Sequence, residues 1–275
     1  MKICSRRNVT GVIVPIITPV DENEHVDEKA FRMVIRRCLD AGVDGIFAGG
    51  SSGMGPLLLD SQWQRAMEVA RDEVDDRFAL MAGVIAESTA RAVERIRLLE
   101  RIGYDRMIVT PTFYITLDHE EEMLCHFGSC RDATNMEMVL YNIPNCTGSN
   151  IPLKAVEKMV RRGWARLYKE SSGDIDYFSR ALQICQDLGA NILQGHEPDI
   201  ERALSMGAAG MVPVCANYEP ATFVTGLLPK NCTSCNERIT DNRSIFVGGY
   251  SHEAKVRWAT DRGKVKAGRC INWSG

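Results

Sequence analysis

Eight short apolar runs alternating with amphipathic stretches constrain this chain more than any other feature. The runs are GVIVPIITP (11–19), GIFAG (45–49), ALMAGVI (79–85), RMIVTP (106–111), EMVLYN (137–142), ARLYK (165–169), NILQG (191–195) and GMVPV (210–214). Between them, residues 27–42, 60–74, 88–103, 118–133, 152–163, 174–189 and 198–208 place apolar side chains at the i, i+3, i+4 spacing of half-buried helices. Several of these stretches close on Gly after a polar or basic last turn, an ordinary helix stop. The runs lack strict alternation, as strands buried on both faces do. Eight strands alternating with helices predict an α/β (β/α)8 barrel. A doubly wound sheet would need a GxGxxG after its first strand, where this chain reads TPVDENEHVD.

The 275 residues suit one large barrel or two ordinary domains. A net charge of −3 gives no basic field for nucleic acid, so no nucleic-acid partner is expected. No stretch approaches the roughly 20 apolar residues of a membrane span, so no membrane partner is expected. The first twenty residues join early positive charge to an apolar run, yet VIVPIITP holds two prolines and no small-residue cleavage site follows, which argues against a signal peptide. Ten scattered cysteines read as reduced, mostly buried thiols of a cytoplasmic protein. Cys232 and Cys235 form a lone CxxC with no second ligand pair nearby, so no metal is expected.

In a barrel, reactive groups gather at the C-terminal ends of the strands. Ser51 and Ser52 follow the second strand, Phe113 and Tyr114 follow the fourth, Tyr141 lies on the fifth and Lys169 on the sixth. Strand alternation puts Tyr141 with Val139 and Lys169 with Leu167. If both faces point inward, the two groups top adjacent strands roughly 4.8 Å apart. An amine among Leu140, Ile143 and Leu167 loses water, and desolvation lowers a lysine pKa. A neutral amine attacks a ketone and forms a Schiff base, whose iminium is an electron sink. A nearby phenol can carry the protons. The alternative is a structural lysine paired with Glu170 or Asp174.

Four stretches, GIFAGGSSGMGPLL (45–58), LYNIPNCTG (140–148), YKESSGD (168–174) and GAAGMVPVCANYEP (207–220), resemble the dihydrodipicolinate synthase / N-acetylneuraminate lyase family of pyruvate-dependent class I aldolases. The resemblance runs from about residue 10 to 224 and again over IFVGGYS (245–251). It implies a barrel over 1–224, an added C-terminal helical extension over 225–275, and a homotetramer. It implies that Lys169 is the Schiff-base lysine and Tyr141 the proton-shuttling tyrosine. Gly50, Ser51 and Ser52 would hold the pyruvate carboxylate, helped by the positive end of a following helix. Phe113 or Tyr114, of which only Tyr114 has a hydroxyl, would join the relay of a neighbouring subunit. No cofactor is implied, because the iminium is the electron sink; the partners are a small 2-keto acid and an aldehyde.

The chain also departs from the family pattern. Met54 replaces a loop Glu, and Leu167 stands where a small residue is usual. Cys146 stands where dihydrodipicolinate synthases carry an Arg for the second substrate's carboxylate, and a thiol cannot make that bidentate pair. The expected reaction is therefore aldol cleavage or condensation of another 2-keto acid. Dehydration of a sugar acid through the same lysine, or binding of a keto acid without turnover, are the alternatives. Sugar-reading positions fall at His196 and Glu197, then at Val214 and Cys215 on strand eight. Glu197 either binds a hydroxyl or caps the helix near Pro198. After ANYEPATFV, Gly226 and Pro229 interrupt an expected helix, and the ending RGKVKAGRCINWSG is basic and unpatterned.

Overall fold

The computed structural model describes residues 9–226 and, further on, the strand pair Arg257–Ala259 and Val265–Ala267. Strands β1 (Gly11–Pro15), β2 (Gly45–Ala48), β3 (Ala79–Val84), β4 (Arg106–Val109), β5 (Glu137–Asn142), β6 (Ala165–Glu170), β7 (Asn191–Gln194) and β8 (Gly210–Met211) run parallel in chain order and close into a barrel. Closure joins Gly11 to Gly210 and Val12 to Met211. The (β/α)8 expectation is met, and the doubly wound rival falls with the closed ladder.

Helices α1 (Glu28–Asp40), α2 (Asp60–Glu73), α3 (Thr89–Ile102), α4 (Glu120–Asp132), a single turn α5 (Pro144–Thr147), α6 (Leu153–Arg161), α7 (Ile175–Asp187), α8 (Ile200–Ser205) and α9 (Pro220–Val224) surround it. Helices α1, α3 and α7 start on short polar caps, Asp27, Ser88 and Asp174. Asp27 accepts from the Ala30 N–H at 3.0 Å, and Asp174 from Asp176 and Tyr177 at 3.0 and 2.9 Å. The buried faces of these helices carry the spacing read from the sequence, such as Phe31, Ile35 and Cys38 on α1.

The barrel interior is filled by Ile13, Phe47, Met81, Ile108, Val139, Tyr141, Leu167, Leu193 and Val212. Leu167 is 3% exposed and packs in this layer, so its bulk fills the barrel and leaves the strand in place. Between β5 and β6 the register steps from Met138↔Ala165 to Val139↔Leu167. Arg166 is the extra residue of a β-bulge and is exposed within an otherwise buried strand. Beyond it the ladder is regular and ends at Tyr141↔Lys169 and Asn142↔Glu170.

The first and last strands are shorter than predicted. β8 ends at Met211, because Pro213 has no N–H to give a ladder. Val214 and Cys215, expected on strand eight, lie instead on a 3-10 turn, Val214–Asn217. Asn217 anchors that turn to the end of β1: its Nδ2 donates to the Pro15 carbonyl at 3.0 Å, and its Oδ1 accepts from the Ile17 N–H at 3.0 Å. The expected C-terminal helical extension, the CxxC pair and the IFVGGYS stretch lie outside the described residues. The strand pair is antiparallel, with Trp258 opposite Lys266.

Candidate active site

Lys169 closes the inner face of β6. Its side chain is 5% exposed, and its Nζ lies 3.9 Å from the centroid of the Tyr141 ring and 4.9 Å from that of Phe47. The two aromatic rings meet edge to face at 6.0 Å. Phe47 and Tyr141 supply the apolar surroundings predicted for the amine. Leu140 does not, because alternation puts it on the face opposite Val139 and Tyr141, against the helices. Phe47, the residue sequence reasoning missed, stands two residues inside β2 from the Gly49–Gly50 turn.

Burial pushes the Lys169 pKa from its ordinary 10.5 down to about 7; the nearby Cys146 and Glu197 oppose the shift. That displacement corresponds to about 5 kcal/mol at 1.36 kcal/mol per unit. Contact with ring faces returns about 2 kcal/mol to a buried cation, so burial dominates. At pH 7 a large fraction of the amine is neutral and nucleophilic. The alternative pairing with Glu170 or Asp174 is not formed: Glu170 bonds Asn142 and Ser172, and Asp174 caps α7.

The phenol of Tyr141 is buried, and burial raises its pKa; Ser51 and Ser171 hydroxyls act in the opposite direction by hydrogen bonding. Ser51 also engages the Cys146 thiol, whose pKa burial raises. Ser51 therefore stands between Tyr141 and Cys146. Ser171 is a second residue that the sequence reading passed over. It lies two positions past Lys169, on the same side of the chain, and that spacing was a usable signal. Its Oγ is buried and lies close to the phenol, where it eases the ionisation. A Cβ on Gly195 would sit 2.2 Å from this Oγ and 2.7 Å from Lys169 Cε, so only glycine leaves room for both.

Gly50 is buried, and Ser51 and Ser52 are half-buried in the turn after β2. The turn folds tightly on itself. The Gly55 N–H donates to the Gly50 carbonyl at 3.0 Å, and a Cβ on Gly55 would collide with Gly49 O at 1.9 Å. The expected helix start behind this loop is absent. A run of turns continues through Met54, which holds a left-handed φ of 56°, and α2 begins only at Asp60. Any anion held here meets hydroxyls and local backbone without a helix terminus.

Glu197 does not cap a helix by its side chain. Its Oε1 accepts from the Cys215 N–H at 2.7 Å, its Oε2 lies 3.4 Å from Cys215 Sγ, and the Tyr218 hydroxyl approaches that sulfur at 3.2 Å. It bridges the β7 loop to the turn after β8 and acts electrostatically on Lys169. Val214 is half-buried beside it on the 3-10 turn. His196 points elsewhere, with its Nδ1 2.6 Å from Asp199 Oδ2. Tyr114 is 90% exposed with φ of 73°, so its hydroxyl stays outside this barrel, whereas Phe113 packs against the interior layer. No group of metal-ligating side chains occurs among the described residues.

Comparison with known proteins matches residues 8–227 to the model of the dihydrodipicolinate synthetase family. A 4-hydroxy-tetrahydrodipicolinate synthase of Methanothermobacter thermautotrophicus is 28% identical over 217 residues, covering 78% of this chain and 76% of that protein. An uncharacterized DapA-like lyase of Halobacterium salinarum is 29% identical over 258 residues, covering 94% and 81%. A crystal structure of a dihydrodipicolinate synthase superposes with a TM-score of 0.76 at 25% identity, covering 90% of this chain and 85% of that one. A buried amine against a phenol, at the mouth of a closed eightfold barrel and within a match spanning most of the sequence, makes this chain a member of the dihydrodipicolinate synthetase family, the pyruvate-dependent class I aldolases and lyases.

Proposed function

We propose that this lyase cleaves or forms the carbon–carbon bond of a 2-keto acid, with pyruvate as one partner, through a Schiff base on Lys169. The observation that carries the reading is the Lys169 amine, uncharged in large part at pH 7 and seated on the Tyr141 ring. The neutral amine adds to the pyruvate carbonyl, water leaves, and the iminium withdraws electrons from the adjacent carbon. Tyr141, flanked by Ser51 and Ser171, moves protons between carbinolamine, water and the aldehyde oxygen. Gly50, Ser51 and Ser52 hold the keto-acid carboxylate, and Glu197 beside Val214 accepts hydroxyls of the aldehyde partner.

The second substrate differs from that of a dihydrodipicolinate synthase. Among the described residues, the polar side chains that act on Lys169 and Tyr141 include Ser51, Cys146, Ser171 and Glu197, and none of these is cationic. An uncharged, hydroxylated aldehyde suits them better than one carrying a carboxylate. Exposed Leu57, Leu59, Tyr114 and Ile115 on the loops after β2 and β4 support a homotetramer in which Tyr114 reaches a neighbouring barrel. Free thiols at Cys38, Cys130 and Cys185 support a cytoplasmic setting.

Incubation with pyruvate and borohydride, followed by digestion, is expected to place a reduced pyruvyl adduct on the Lys169 peptide. Absence of the adduct removes the proposed mechanism. A panel of aldehydes is expected to give turnover with polyhydroxylated members, and at least about a hundredfold lower kcat/KM with an α-amino carboxylate aldehyde, a gap of about 2.7 kcal/mol. Light scattering in solution tests the tetramer.

A further inference from the structure

Behind the Lys169–Tyr141 pair, on the outer face of the same two strands, lies a buried polar pair with no part in the chemistry above. Asn142 follows Tyr141, Glu170 follows Lys169, and the two are register partners. Both are 0% exposed. Asn142 Nδ2 donates to Glu170 Oε1 at 3.1 Å and to Asn150 Oδ1 at 2.6 Å, and its Oδ1 accepts from the Ile151 N–H at 3.0 Å. Glu170 Oε1 also accepts from the Ser172 N–H at 2.7 Å, while Oε2 has no partner. The backbones join the same knot: the Ser171 N–H donates to the Asn142 carbonyl at 2.9 Å and the Gly195 N–H to the Glu170 carbonyl at 2.7 Å.

A carboxyl buried with one oxygen unsatisfied is costly, and an apolar side chain of similar volume would pack there at less expense. Its use must lie in what it fixes. The last rung of the β5–β6 ladder is the one that carries the amine and the phenol next door. A strand end beyond its last rung is free to splay, and a shift of about 1 Å at a reacting group costs on the order of a hundredfold in rate. We propose that Glu170, through Asn142, is a positioning residue that holds the ends of β5 and β6 together so that Lys169 lies against Tyr141. The inference rests on the Schiff-base reading of Lys169.

The test is a double-mutant cycle with Glu170→Ala, Asn142→Ala and both together, beside Glu170→Gln. The readouts are thermal melting, kcat, KM for pyruvate and the pH midpoint of borohydride trapping. Glu170→Ala is expected to lower kcat at least tenfold with KM within about threefold, and to move the trapping midpoint upward as the strand ends part and water reaches the amine. Glu170→Gln keeps an oxygen for Asn142 and Ser172, and is expected to hold kcat within about threefold and leave the midpoint in place. The double variant is expected to be no worse than the poorer single. Glu170→Asp, which keeps the carboxyl but withdraws it by one methylene, carries the test if Glu170→Ala does not fold. Losses that multiply in the double variant, a Glu170→Gln as impaired as Glu170→Ala, or a Glu170→Ala with unchanged kcat and midpoint would each overturn the proposal. An adduct in the wild-type protein secures the lysine reading whatever the variants do; its absence removes both.

Discussion

The β5–β6 seam and the β7–β8–β1 closure complete the same barrel in different ways. The first runs in register from Val139 and Leu167 to Asn142 and Glu170, beyond a single bulge at Arg166, and its last rungs are buried. The second is held by Leu193–Gly210 and Gln194–Met211 on one side and by Gly11–Gly210 and Val12–Met211 on the other. Beyond it the chain turns off the ladder into the Val214–Asn217 turn. In the proposed mechanism the reacting groups, Lys169 and Tyr141, stand on the long seam, and the groups proposed to read the substrate tail, Glu197 and Val214, stand past the short one. That proposal assigns rate to one side of the barrel mouth and selectivity to the other.

Substitutions on the long seam are expected to strike hardest. Lys169→Ala should abolish both the borohydride adduct and measurable turnover, with the circular-dichroism spectrum unchanged. Tyr141→Phe should lower kcat by about 10²–10⁴-fold while still forming the adduct slowly; an unchanged kcat would remove the phenol from the proton path. At the short seam the effects shrink and move to another parameter. Glu197→Gln and Val214→Ala should raise KM for the aldehyde by less than about tenfold, with KM for pyruvate and the trapping rate preserved. Equal losses of kcat on the two sides would dissolve the distinction.

The pH dependence follows from the same burial. The trapping rate should rise as pH increases through about 7, because only the neutral amine adds to the carbonyl. Stability rises with pH as well, over a higher range. The unfolded chain keeps this proton up to about pH 10.5 and the folded chain only to about 7, so stability rises with pH between those values. Lys169→Met should therefore raise Tm at neutral pH, on the scale of a few kcal/mol, and the gain should fade toward pH 10.5. A Tm gain that does not change with pH would show that packing, and not the desolvated charge, causes it.

Periodicity exposed nearly all of the barrel, since each buried strand and each half-buried helix imposes its own spacing on local sequence. It put β5 at 137–142, as observed. It overran β8 because apolar letters continue through GMVPV, while Pro213 withholds the N–H a ladder needs. Lys169 and Tyr141 were legible because alternation fixes which way a side chain faces. Leu140 was misplaced for want of applying the same rule to it. Phe47 and Glu197 were harder: the ring beneath the amine comes from a strand four places away around the barrel, and the partner of the carboxylate is a backbone N–H eighteen residues on. Such meetings belong to the closed fold and leave no mark on neighbouring letters.

Gly195 gives a way to sort kindred sequences. Because even a methyl there would intrude on both the Lys169 methylenes and the Ser171 hydroxyl, a homologue that keeps the YKESSGD letters but has exchanged this glycine cannot seat its lysine in the same pose. One missing side chain on the adjoining strand thus tells working copies of the motif from inherited spelling.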